Sequence, residues 1–386
     1  MDFIKNKINI ARIREFILAN RIAAIALFCM VFQNSAHTLL IRYSRGVRHE
    51  RYIASTNVIL VELTKFAISG YMMLRTAPPG TNPTEHFKQT LIHSKAAFIP
   101  ALLYFIQNTL AYVGLQNLEA GAFAVLVQLK TLTTAVFSVI LLNKKLSANQ
   151  WRALCLLVLA AILIETPPCQ AEGAATNEDS KNNLLGVCAV LGMITTSGSA
   201  GVYFEKVLKT TSGTIWERNL QLSAHSIIFG LLFTFIFDGQ RVFSEGFFTG
   251  YSVVPFLIAF IGAAGGILVA VVMKYADNII KSFGTAVSIC VTSILSIPLL
   301  GATLGAVFWV GAFMVVLSIF IYSDVHPGAP QQGAAQGQVK QPVVAVAANS
   351  SSSSSNMSMD GKIDGDDKEN PFNMNGGVII PVQEGK

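Results

Sequence analysis

Apolar runs of about twenty residues recur from residue 22 to residue 322, separated by short polar stretches. At about 1.5 Å per residue, a helix of that length crosses a hydrocarbon core about 30 Å thick. The runs predict ten helices, near 22–41, 53–74, 96–115, 120–142, 151–165, 184–204, 219–237, 253–273, 279–300 and 302–322. The fifth is the shortest, because Pro167 and Pro168 end it early.

The expected fold is therefore an all-α polytopic membrane protein. Ten spans divide into two halves of five, residues 22–166 and 184–322, on either side of a loop at 167–183. An odd number of spans per half inserts the halves in opposite orientations. That is the inverted-repeat plan of many secondary transporters, whose site lies at the repeat interface near the bilayer midplane. Residues 1–21 form a basic segment ahead of the first helix rather than a cleavable signal peptide. Residues 323–386, with six consecutive serines at 350–355, are too polar to bury a core and are expected to be a disordered tail. Its two N-x-S sequons, at Asn349 and Asn356, stay unmodified if the tail is cytosolic.

Composition agrees. Hydrophobic residues make up 52% of the chain, charged ones only 13%, and the mean hydropathy is +0.52. About a quarter of a soluble domain is charged. The net charge of +6 marks topology rather than a nucleic-acid surface, since no soluble domain presents a basic face. With the N-terminus in the cytosol, sixteen Lys and Arg fall in cytosolic segments, among them Lys144, Lys274 and Lys281, against six on the opposite side. Four of those six, Arg42, Arg45, Arg48 and Arg51, crowd the first loop, and charge counting offers no account of them.

Polar residues within the spans carry the functional signal. Lys130 sits at the midpoint of AGAFAVLVQLKTLTTAVFSVILL, Ala120–Leu142, a stretch with no acid. A lysine at that depth costs about 2.5–3.5 kcal/mol on insertion scales, so it requires a counter-charge or a wet cavity. A distant acid such as Glu62 is one partner open to it. A bound anion is the other, and it points to a transporter of something phosphorylated. Glu62 and Lys65 are spaced i, i+3 and can neutralise one another or serve as a gate. Gln107 and Asn108 lie mid-span in the third helix, while Gln128 points away from Lys130 as an interhelical bond. Asn219 and Gln221 sit just inside the seventh helix, and Lys274 lies at the cytosolic end of the eighth. Gly262–Gly266 and Gly301–Gly305 read as close-contact GxxxG pairs.

These features disfavour an enzyme: the spans hold no DxD, no HExxH and no histidine cluster. The five cysteines show neither a disulfide framework nor metal spacing, so no metal or cofactor is expected.

Three blocks then carry a resemblance. They are YFIQNTLAYVGLQNLEAGAFAVLVQLKTLTTAVFSVILLNKKLSANQW (Tyr104–Trp151), SGSAGVYFEKVLKTTSGTIWERNLQL (Ser197–Leu222) and GGILVAVVMKYADNIIKSFGTAVSI (Gly265–Ile289). Together they resemble the Golgi nucleotide-sugar transporters of the drug/metabolite transporter superfamily. The resemblance implies ten helices, cytosolic termini and import of a nucleotide sugar in exchange for nucleoside monophosphate. It implies substrate contacts from Gln107 and Asn108 to the nucleotide, Lys130 and Lys274 to phosphate, and Asn219 with Ser197 nearer the sugar. NKKLSANQW and KYADNIIK are closest to the UDP-galactose and UDP-N-acetylglucosamine branch, with CMP-sialic acid carriers or another phosphorylated-metabolite transporter as the alternative. The partners implied are a UDP-sugar, UMP and the lipid bilayer, without nucleic acid; a homodimer is compatible, and the endoplasmic reticulum is the alternative compartment. Thr109 stands where many relatives have Asn, and Phe123–Val127 lacks their hydroxyls. Those departures bear on the base and sugar, not on the fold.

Overall fold

The computed structural model describes residues 2–77, 80, 82–165 and 182–323, and every regular element among them is helical. The order is α1 (Asp2–Arg42), α2 (Ala54–Arg75), α3 (Pro83–Ile92), α4 (Lys95–Asn117), α5 (Ala120–Gln128), α6 (Lys130–Leu142), α7 (Ala148–Glu165), α8 (Asn183–Thr210), α9 (Ile215–Glu245), α10 (Val253–Tyr275), α11 (Asn278–Leu300) and α12 (Ala306–Ser323). Among the described residues ten segments are long and apolar enough to span a membrane: α1 from Asn20, α2, α4, α5 with α6, and α7 to α12. The protein is a multi-pass membrane protein with the expected number of spans. The expected tail with its sequons, nearly all of the loop at 167–183, and Cys169 lie outside the described residues.

The capping chemistry explains where the boundaries differ. α9 starts at Ile215, four residues before its apolar run, because Thr214 and Glu217 form a capping box. Asp277 caps α11, accepting from the Ile280 N–H at 2.7 Å. α3 is a helix that hydropathy did not register. Asn82 caps it and Pro83 supplies its first residue, both ordinary helix-start signals.

The tightest helix pairs are α4 with α8, α7 with α12, α2 with α9 and α1 with α10, followed by α6 with α8, α1 with α11, α4 with α9 and α2 with α10. All eight join the first half to the second. Exchanging the nth span for the (n+5)th turns each of these pairs into itself or another of the eight. α8 is the centre, with backbones approaching at small residues. A Cβ on Gly198 would stand 3.0 Å from the Thr133 carbonyl carbon and the Thr134 N. Gly262 and Gly266 do form a close face, against His37 and Val61 and against the Lys65 stem. Gly301 and Gly305 do not: a Cβ on either meets nothing within 4 Å, and Gly301 ends α11 in a left-handed turn (φ 65°). Outward surfaces are apolar, with Phe260, Phe313 and Phe320 more than half exposed, as lipid contact requires.

At the end of the molecule where α1 finishes, the arginine-rich loop finds local partners. Arg48 pairs with Glu50 at 2.9 Å, and the Arg45 guanidinium lies 4.7 Å from the Tyr52 ring centroid. The Arg51 carbonyl accepts from Arg241 at 2.9 Å. Glu50 also accepts from Ser44 at 2.6 Å and from Ser252 at 2.5 Å, joining this loop to the cap of α10. Two of the four arginines, Arg45 and Arg48, thus make side-chain contacts that fasten one end of the bundle.

Candidate functional site

The fourth span has the length that hydropathy implies, and a tightened turn at Leu129 divides it into α5 and α6. The ladder tightens at Leu129, whose N–H bonds the Leu126 carbonyl at 3.1 Å and whose carbonyl accepts from both Leu132 and Thr133 at 3.0 and 3.2 Å. Threonines just beyond reinforce the change. Thr133 and Thr134 hydroxyls both donate to the Lys130 carbonyl, at 2.9 and 2.8 Å, and Thr133 also reaches the Ile194 carbonyl on α8. Hydroxyls bonding back one turn bend a helix. Lys130 therefore begins α6 within the span, and Leu129 before it stays in the right-handed helical region (φ −63°, ψ −15°).

A cavity of about 350 Å³ lies there, between α5, α6 and α7 of the first half and α8 and α11 of the second. Its charged lining is Lys130, Lys281 and Glu165, with Gln128 and Ser197 among its polar groups. Phe123, Leu157 and Ile289 contribute apolar wall. Among the described residues no hydrogen bond or ion pair joins the ammonium of Lys130 or Lys281 to a protein group. Glu165 instead accepts from Gln128 Nε2 at 2.8 Å and attracts Lys130 from farther off. The arrangement offers two cations facing an open volume, at the interface between the halves. A small anion with a hydrogen-bonding body satisfies such a cavity.

Towards the opposite end from Glu165, charges are paired instead. Glu205, fully buried on α8, accepts from Lys144 at 3.0 Å, from Lys209 at 2.9 Å and from the Asn278 N–H at 2.9 Å. Lys144 also pairs with Asp277 at 3.2 Å. The connection after α6 is thus tied to α8 and to the α10–α11 turn. Burial alone would lower the Lys144 pKa, but Asp277 and Glu205 outweigh it and hold it above the ordinary lysine value.

A ten-span bundle of this kind matches a known family over nearly all its described length: residues 18–323 fit the family described as nucleotide-sugar transporter. The chain belongs to that family. It is 38% identical over 311 residues to the UDP-galactose translocator of Mus musculus, covering 78% of each chain. It is 36% identical over 313 residues to the UDP-N-acetylglucosamine transporter of Canis lupus familiaris, covering 79% of this chain and 96% of that one. A solved crystal structure shares the fold, with a TM-score of 0.53 at 12% identity over 78% of this chain and 96% of the other. These relatives are carriers, so this nucleotide-sugar transporter moves its substrate without chemistry.

In the transporter, the expected site residues fall into two groups. Lys130 and Ser197 line the cavity. Gln107 and Asn108 on α4, Asn219 on α9 and Lys274 on α10 are not part of its lining. Gln107 Oε1 is buried without a partner, and Asn108 is exposed. Asn219 is buried and donates to the Ile215 carbonyl at 3.1 Å. Lys274 is half-buried near Arg218 and Glu217. Glu62 and Lys65 form the anticipated pair at 2.8 Å, so Glu62 is not the acid beside Lys130. Two lining charges escaped the sequence reading. Lys281 was counted among cytosolic loop charges, although it lies inside the ninth span. Glu165, the last residue of α7, stood at the edge of a span cut short by Pro167 and Pro168. Gln128 does bond another helix as expected, but from the cavity wall.

Proposed function

We propose that the protein carries a UDP-sugar, UDP-galactose or UDP-N-acetylglucosamine, into the Golgi lumen in exchange for UMP by alternating access. The observation that carries this reading is a pair of lysines in a cavity between the two halves, neither with a hydrogen bond or ion pair among the described residues. Phosphates arriving there lose water, and Lys130 and Lys281 replace it with charge-assisted contacts. We assign the second phosphate contact to Lys281 in place of Lys274. Ser197 serves the sugar or ribose. Gln107 and Asn108 serve the nucleotide, and Asn219 the sugar, only if α4 and α9 turn towards the cavity during the cycle. Gln107, whose Oε1 has no partner among the described residues, is the strongest of the three. Glu165 disfavours a sugar with its own carboxylate, which supports a neutral hexose over sialic acid. The relatives' names support uridine over cytidine.

The excess of Lys and Arg in the segments assigned to the cytosolic side, which remains without Lys281, supports cytosolic termini. The eight cross-half helix pairs and their n to n+5 correspondence support two inverted repeats, 22–166 and 184–322, rocking about the cavity. The Lys144–Glu205–Lys209–Asp277 network then closes the cytosolic side. The test is uptake of labelled UDP-galactose, UDP-N-acetylglucosamine and CMP-sialic acid into proteoliposomes of the full chain, preloaded with UMP or CMP. UDP-sugar uptake stimulated by internal UMP is the expected result. Uptake confined to CMP-sialic acid, or indifferent to internal nucleotide, overturns it.

A further inference from the structure

One charge in the cavity runs against the logic of a phosphate site. A carboxylate beside two phosphate-binding ammonium groups repels the cargo they attract, yet Glu165 is part of that wall. Its hydrogen bond from Gln128 fixes it there at 2.8 Å, although Gln128 precedes Lys130 by only two residues. A role as mere interhelical glue needs no charge, because a glutamine at 165 accepts the same bond. What the charge adds is attraction for Lys130 and, after it, for Arg42 at the end of α1; among the described residues Lys130 itself has no hydrogen bond or ion pair.

We propose that Glu165 is the resident anion of the cavity, neutralising Lys130 in the empty carrier and competing with the incoming phosphate for it. The proposal rests on the transport reading above and deepens it. With Glu165, an empty cavity holds two lysines and one carboxylate; without it, two bare cations face the membrane interior. Glu165 therefore weakens binding while easing the return of the empty carrier. It is a positioning residue that acts through Lys130, and it makes exchange less strict than two lysines alone would impose.

The decisive variant is E165Q, which keeps the Gln128 bond and removes the charge. In proteoliposomes of the full chain, the external UMP concentration that halves UDP-galactose uptake is expected to fall about tenfold. Stimulation of uptake by internal UMP is expected to rise. A direct UMP titration on purified protein reads the same gain on folded molecules only. In a K130Q background, E165Q should lose most of its effect. Half-inhibition that stays unchanged or rises in E165Q overturns the assignment, as does an equal gain with and without Lys130. Wild-type protein that carries no UDP-sugar would instead overturn the transport reading itself, a distinguishable failure.

Discussion

Two sets of lysines sit where the halves meet, and they are treated in opposite ways. Around Glu205 every ammonium has a carboxylate oxygen between 2.9 and 3.2 Å away. In the cavity, Lys130 and Lys281 have none within 4 Å among the described residues. Both arrangements put charge at the same interface, so depth alone does not decide whether a lysine is structural. What decides it is whether the protein supplies the anion. Where it does so in direct contact, the charges hold helices together; where it leaves space and only the more distant Glu165, the transport reading has a second anion arrive from outside.

The paired region should fail first under mutation. Glu205 serves two lysines and a backbone N–H, and E205Q leaves Lys209 without a carboxylate and Lys144 with Asp277 alone. Breaking such a pair costs about 3–5 kcal/mol. A large drop in the unfolding temperature of the detergent-solubilised protein is the expected outcome. Lys144 gives the pH limit of the same network. Its pKa is raised above 10.5, so its contribution is complete at neutral pH and disappears only as pH rises beyond that value. A Glu205 variant as stable as wild type would erase the distinction between the two regions.

The unpaired region should show the reverse pattern. Lys130→Ala and Lys281→Ala each remove a charge-assisted phosphate contact worth about 1.5–3 kcal/mol, or about 10- to 100-fold in affinity for UMP. Neither removes a hydrogen-bonded or ion-paired partner among the described residues, although Lys130→Ala takes the longer-range attraction away from Glu165, so the unfolding temperature should fall by less than in E205Q. Lys274→Ala should change UMP affinity less than twofold on the same scale, about 0.4 kcal/mol. Measuring binding and thermal stability on one preparation separates the outcomes. If Lys130→Ala unfolds as readily as E205Q, Lys130 is a structural charge. If Lys274→Ala matches Lys281→Ala, the second cation has been placed on the wrong helix.

The same contrast explains what the sequence could disclose. Spans follow from apolar length, which is local, so their number and centres were legible, although α8 and α9 run on to Thr210 and Glu245, past the expected ends at 204 and 237. Lys130 stood out because nothing near it in sequence could neutralise it. The Glu62–Lys65 pair was legible for the same reason, being one turn apart. Glu165 and Lys281 were not. Each lies at or near the end of a span, where a charge is unremarkable, and only packing of α7 and α11 around α5 and α6 brings them to one cavity. The break at Leu129 left a fainter trace. Neither glycine nor proline marks it, and the signal is the threonines of KTLTT, whose hydroxyls turn back on the Lys130 carbonyl. Charge counting also left the first loop without an account, because it scores an arginine without asking what it touches.

That loop supplies the smallest test. Glu50 holds three donors, from Ser252, Ser44 and Arg48, and although burial alone would raise its pKa, these contacts bring it below the ordinary 4.5. A depressed carboxyl contributes stability that is present above its unfolded value and is lost as pH falls through the folded one. Glu50→Gln should therefore lower stability by about 1 kcal/mol at pH 7, the scale of a partly exposed charged contact. The gap between variant and wild type should close as pH drops well below 4.5, where wild-type Glu50 is protonated as well. Transport should persist, since the loop fastens one end of the bundle without lining the cavity. A gap that is constant down to that pH would mean that Glu50 acts by shape, and the first loop's arginines would lose their electrostatic account. Thermal unfolding of both proteins across pH 3.5–7, about one unit below and more than two above the ordinary glutamate value, distinguishes the two.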